Sequence, residues 1–131
     1  MSQTPARHLD QAAEQIRAFN HTSRAAGDGW QYPSDAYAAI GNLSHLAGML
    51  GQAIEQSTGP VMRAYEHGRV RIDNGGDPDQ KVSELVQARE DAMRAAAALT
   101  AAVQRMHNAT SPMGMDTTGL PGFDDEDGDQ P

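Results

Sequence analysis

The chain has 131 residues, the length of a single domain, and no cysteine, which removes disulfide scaffolds, thiolate metal sites and cysteine nucleophiles. Its net charge of −8 is concentrated at one end: residues 109–131 carry six acids and no base, which leaves residues 1–108 at −2 without the basic stripe that nucleic acid requires. Mean hydropathy is −0.62, and no apolar run approaches the ~18 residues of a membrane span.

Large aliphatic and Phe residues are scarce. Leu, Ile, Val and Phe number 18, or 14% of the chain, a composition at which disorder becomes a serious alternative. Against it stand 21 alanines and 7 methionines, placed mostly at helical intervals. Alanine is the best helix former but buries little apolar area, so helices are expected whose core is completed by self-association or by a partner. The segment Met1–Arg7 lacks the apolar stretch of a secretory leader, and the expected compartment is the cytoplasm.

The first helix is predicted from about Thr4 to Arg24, with Thr4 as cap and Pro5 at the first helical position. Leu9, Ala12, Ile16 and Phe19 follow at spacings of 3, 4 and 3 and define one apolar face. Gly27 is the expected left-handed stop. Gly27–Ser34 reads as a connector holding the only tryptophan, Trp30, which either folds back as a lid on a core edge or stays exposed for recognition.

A second helix begins with Ser34 or Asp35 as cap. Its series Ala36, Ile40, Leu43, Ala47, Leu50, Ile54 holds a 3.5-residue repeat for nearly three heptads, the pattern of a seam against another helix. Gly48 and Gly51 each cost about 1 kcal/mol of helix propensity and are expected where another backbone passes close by. Gly59-Pro60 interrupts the pattern, and a short helix restarts over 61–71.

Asp73–Pro78 is rich in turn formers, and Asp77 as cap with Pro78 behind it launches a third long helix to His107. Its series is Leu85, Ala88, Ala92, Ala95, Leu99, Ala102, Met106, flanked by Val82, Val86, Met93, Ala96 and Val103. Alanine layers between leucines permit close antiparallel approach. From Ala109 onward the helical pattern stops, and the acidic run Asp124–Asp129 predicts a disordered tail. Leu120-Pro121-Gly122-Phe123 within it has the makings of a short linear motif, although a solubilising tail is the simpler reading.

No catalytic constellation is found. The five histidines (His8, His21, His45, His67, His107) never fall three or four apart, and no Glu-x-x-His pair exists. Ser44 and His45 are adjacent, so on a helix they point about 100° apart and cannot act as nucleophile and base. Asp73, Asp77 and Asp79 are too closely spaced for a calcium hand loop and are better explained as turn and cap residues. No cofactor, no metal and no enzymatic activity are expected. A small basic edge is formed by Arg63, Arg69 and Arg71, diluted by Glu66 and Asp73.

Two resemblances bear on function. A helical hairpin with a Trp in a Gly-flanked loop looks like the WXG100 substrates of type VII secretion. Trp30 is however followed by Gln31-Tyr32 where that motif has x-Gly, and Tyr65 is followed four places on by Arg69 where its export signal has an acid. Over Trp30 to Val103, the stretches Tyr32-Pro33-Ser34-Asp35-Ala36-Tyr37, Leu43-Ser44-His45-Leu46-Ala47, Gln52-Ala53-Ile54-Glu55-Gln56 and Gly75-Gly76-Asp77-Pro78 are similar to small uncharacterised actinobacterial proteins often carried by plasmids or integrative elements. This chain has Leu50-Gly51-Gln52 where that group has Leu-Pro-Gln. The resemblance implies an accessory role in a mobile element.

The resulting expectation is an all-α protein: an antiparallel helical hairpin or three-helix bundle over residues 1–108, with the first helix packed across the other two and a disordered acidic tail over 109–131. The expected role is a non-catalytic interaction or assembly module, a homo-oligomer or bound to a helical protein partner, without membrane association. A regulator acting on DNA or on a DNA-binding partner is the alternative class, and a secretion-associated hairpin the third.

Overall fold

The computed structural model describes residues 3–122. Among these the chain is all-α, with four helices: α1 (Pro5–Thr22), α2 (Pro33–Ser57), α3 (Gly59–Glu66) and α4 (Pro78–Thr110). It divides into two compact units, Met1–Ala36 with Gly114–Pro131, and Tyr37–Met113. The acidic run 124–129 and Phe123 lie outside the described residues.

In the first unit, α1 starts at Pro5, whose missing N–H costs nothing at a helix start. Thr4 precedes it in extended conformation but makes no side-chain capping bond, so the expected cap is only positional. The helix stops earlier than predicted, at Ser23, whose N–H reaches Phe19 O at 2.9 Å. Gly27 is not the left-handed residue; Gly29 is, at φ 73°, because the turn closes through the Gly27–Trp30 pair rather than at the helix end. None of the α1 residues is buried, and Leu9, Ile16 and Phe19, the stripe expected to pack, are exposed.

In the second unit α2 and α4 form an antiparallel hairpin. Tyr37 meets His107, Ser44 meets Gln104 and Thr58 meets Arg89, so numbering along the two helices runs in opposite directions. The connection holds α3: α2 ends at Ser57, just before Gly59-Pro60, and the short helix restarts at Gly59 rather than at 61, with Pro60 in its first turn. It ends at Glu66, five residues short of the prediction. Gly68 takes φ 66°, its N–H bonds Tyr65 O at 3.0 Å, and Arg69 N–H bonds Ala64 O at 2.9 Å, the paired bonds of a left-handed helix stop. α3 contacts α4, and Tyr65 Oη donates to Asp79 Oδ1 at 2.5 Å.

α4 begins as predicted, with the Asp77 carboxylate accepting from Asp79 N–H at 3.0 Å and Pro78 in the first turn. It continues to Thr110, taking Ala109 and Thr110 from the expected tail. Asn108 is held by Gln104 at 3.1 Å and Thr110 Oγ1 bonds back to His107 O at 2.9 Å, and these bonds prolong the last turn. The apolar core is small: Ala47, Val82, Ala96 and Val103 are its buried members among the described residues.

Candidate interaction face

Three contacts between the α2 segment and α4, read with burial, mark an inner line on each helix, and at the start of α4 that line lies beyond the end of α2, where α4 contacts α3. On α2 it is Ile40, Ser44, Ala47, Gly51 and Ile54, continued by Thr58 at the start of α3, each buried or half-buried. On α4 it is Val82, Val86, Arg89, Met93, Ala96, Thr100, Val103 and His107, again buried or half-buried throughout. Both lines repeat at alternating 3 and 4, the period of helices crossing at a small angle. The α4 line lies one residue beyond the series predicted from leucines and alanines. On α2, Ile40, Ala47 and Ile54 stay in place, while Ser44 and Gly51 replace Leu43 and Leu50.

A shift of one residue is about 100° of rotation, and polar residues account for it. Thr58 is buried, donates to Glu55 O at 2.8 Å and accepts from Arg89 Nη1 at 3.1 Å. Arg89 has its stem packed in the hairpin and a weak ion pair to Glu90 at 3.6 Å, while its Nε is buried without a hydrogen-bond partner. Ser44 Oγ donates to Gln104 Oε1 at 2.9 Å. His107 stacks on Tyr37 with ring centroids 4.3 Å apart and 19° between planes. Gly41 makes room for this stack: a Cβ there would stand 3.0 Å from His107 Nε2. Gly48 and Gly51, by contrast, have nothing within 4 Å of such a Cβ, so no backbone passes close to either.

Several predicted seam residues therefore occupy the flank of the hairpin. Ala47 is buried, at 2% exposure, and Ile40, Leu50 and Ile54 are half-buried, but Leu43 is exposed. On α4, Leu85 and Ala92 are half-buried, while Leu99 and Met106 are 47% and 50% exposed. In an antiparallel pair of right-handed helices, the positions one residue before each contact line point to the same side. Leu43, Leu46 and Leu50 of α2 thus share a face with Leu85, Ala92, Leu99 and Met106 of α4. No charged residue interrupts this face between Ala36 and Ala53 or between Leu85 and Met106, whereas the opposite side carries Glu90, Arg94, Gln104 and Asn108.

The remaining candidate residues fall elsewhere. The exposed-recognition reading of Trp30 is corrected: the ring is half-buried, edge-on to Phe19 at 5.6 Å, and its Nε1–H is donated to Ser23 O at 2.9 Å. It closes the end of α1 instead. Arg63 lies in the last turn of α3, and Arg69 and Arg71 follow outside the helix. All three are exposed, and Arg71 pairs with Asp73 at 3.7 Å. Asp77 and Asp79 are engaged in the cap and with Tyr65, and among the described residues no group of His, Asp or Glu is arranged to hold a metal ion.

Titration is perturbed at caps and turns. The Asp35 carboxylate accepts the N–H groups of Gln31 and Tyr32 at 2.9 and 3.0 Å, which holds it below the ordinary carboxylate value. The hydrogen bond to Asp79 pushes the Tyr65 phenol up. Tyr65 lines a surface cavity with Glu66, Gly68, Val70, Pro78 and Asp79. Apolar periodicity alone does not reveal Arg89, Thr58, Ser44, Tyr37 or His107, because it scores none of them; the 4-3-4-3 spacing of the mixed line from Val82 to His107 was the available signal. No helix is long and apolar enough to cross a membrane among the described residues. No protein-family model matches the chain, nor does any curated protein or solved structure.

Proposed function

We propose that this protein is a non-catalytic helical interaction module that self-associates through its hairpin, as an accessory of plasmid or mobile-element maintenance or transfer. One observation carries the first part: Leu43, Leu99 and Met106 on one flank of the hairpin are exposed, while the buried apolar core among the described residues is only Ala47, Val82, Ala96 and Val103. Contiguous exposed apolar surface of this kind on a charged protein marks an interaction site. The thin internal core supports the same reading, since covering the flank adds the large apolar area that the chain does not bury by itself. The mobile-element role rests on the resemblance over Trp30 to Val103.

Sedimentation equilibrium of the full chain over a wide concentration range, with circular dichroism on the same samples, tests the self-association. A helical dimer or higher oligomer is the expected result. A monomer that melts cooperatively at every concentration refutes it.

A further inference from the structure

We propose that Asn74-Gly75, in the turn between α3 and α4, is a site of spontaneous covalent modification at which the asparagine is converted to aspartate and isoaspartate. The chain has four asparagines, and only this one is followed by glycine. Asn20, Asn42 and Asn108 lie inside α1, α2 and α4, where the N–H of the next residue is held in the helical bond ladder. Asn74 and Gly75 are exposed and outside any helix.

The chemistry requires the main-chain nitrogen of Gly75 to reach Cγ of Asn74. Gly75 has no Cβ to shield that nitrogen and sits at φ 82°, a value that leaves glycine unstrained. Asn74 takes φ 69°, the only non-glycine residue in the left-handed region among the described residues. Its side chain makes no hydrogen bond that would hold it away from its neighbour. The Gly75 N–H is engaged by Ile72 O at 3.3 Å, longer than a well-formed amide bond.

In the first step the Gly75 nitrogen, its proton taken by hydroxide, attacks Asn74 Cγ. The N–Cγ bond forms, the Cγ–Nδ2 bond breaks, and Nδ2 leaves as ammonia with a proton from water. Water then opens the five-membered imide. Attack at Cγ gives aspartate in an unchanged main chain; attack at the Asn74 main-chain carbonyl gives isoaspartate, in which the chain runs through Cγ. One water enters and one ammonia leaves, with no oxidant or reductant consumed.

Either product places a new carboxylate between the Arg71–Asp73 pair and the Asp77 cap of α4. The segment from Arg69 to Asp79 then holds four acids against two arginines, where the unmodified chain has three. Isoaspartate also lengthens the main chain by one carbon where the turn is tight, since a Cβ on Gly76 would stand 2.6 Å from Ile72 Cγ2.

The full chain is aged at mildly alkaline pH and digested with trypsin, which releases Ile72–Lys81 with Asn74 as its sole asparagine. That peptide is expected to give way to two products, each about one dalton heavier, one of them a methyl acceptor for an isoaspartyl methyltransferase. The peptides holding Asn20, Asn42 and Asn108 are expected to stay unchanged over the same period. Asn74→Gln, in which the same attack would have to close a six-membered ring, is expected to show neither product. If Ile72–Lys81 stays intact in the folded chain the proposal fails, and conversion in urea alone would show the turn protecting the site. Equal gain of mass in the peptides of the three helical asparagines would also overturn it, because the turn would then confer no selectivity.

Discussion

α1 and α4 are both amphipathic helices, yet they use their apolar residues in opposite ways. α1 has the cleaner stripe, Leu9, Ile16 and Phe19, and none of its residues is buried. α4 buries Val82, Ala96 and Val103 along a line that also contains Arg89, Thr100 and His107. Bulk did not decide which side chains went inside. Small side chains allow two helix axes to come close, and polar ones are accepted in the contact when the facing helix supplies a partner, as Thr58 does for Arg89. The larger residues, Leu99 and Met106, are left exposed.

Val103→Asp attacks the contrast between the inner and outer lines most severely. Val103 is 4% exposed, and an unpaired carboxylate at that depth is expected to cost about 3–5 kcal/mol and to abolish the cooperative helical melt. Leu99→Asp, four residues away on the same helix, is expected to leave that melt within about 1 kcal/mol at concentrations too low for association. Circular dichroism melts of the two variants side by side are the check. Equal loss would erase the distinction between the lines.

Thr58→Val isolates the role of polar pairing. It removes the acceptor of Arg89 Nη1 and leaves a guanidinium whose Nε already lacks a partner, with an expected loss of about 1–3 kcal/mol. Replacing Thr58 and Arg89 together by Val and Met should recover most of it, as read by chemical denaturation. If the double variant is no better than Thr58→Val, the pair is not what holds the inner line in register.

Glycine substitutions give a smaller and signed comparison. Gly48→Ala or Gly51→Ala is expected to stabilise by up to about 1 kcal/mol, since each gains helix propensity and meets nothing. Gly41→Ala gains the same propensity but presses on His107 Nε2, and is expected to fall below both in thermal midpoint. A Gly41→Ala variant as stable as Gly51→Ala would mean that the Tyr37–His107 stack yields without cost.

The smallest effect concerns acid. Asp35 is held below its ordinary value of 3.8 by the Gln31 and Tyr32 N–H groups, so its contribution is present in full above that value. It is lost as pH falls through the depressed folded value. Asp35→Asn should therefore flatten the acid limb of the stability profile below about pH 4 and leave the profile at higher pH parallel to wild type.

Much of this was legible in the residues. Pro5 and Pro78 mark helix starts, Asp77 caps α4, and the 3- and 4-residue spacings announce paired long helices. Local chemistry fixes such features, because a cap or a turn is completed within a few residues. The ends moved where bonds one turn back extended or stopped a helix, at Thr110 and at Gly68. Which 100° of each helix faces its neighbour is a matter of packing between distant segments. Periodicity gives the repeat of a face, not its phase, and the phase depends on Arg89 finding Thr58 across 31 residues of sequence and on His107 finding Tyr37 from the far end of the hairpin. Two heptad lines on α4 follow from the order of its residues; the fold packs one against α2 and α3 and leaves the other half-buried or exposed.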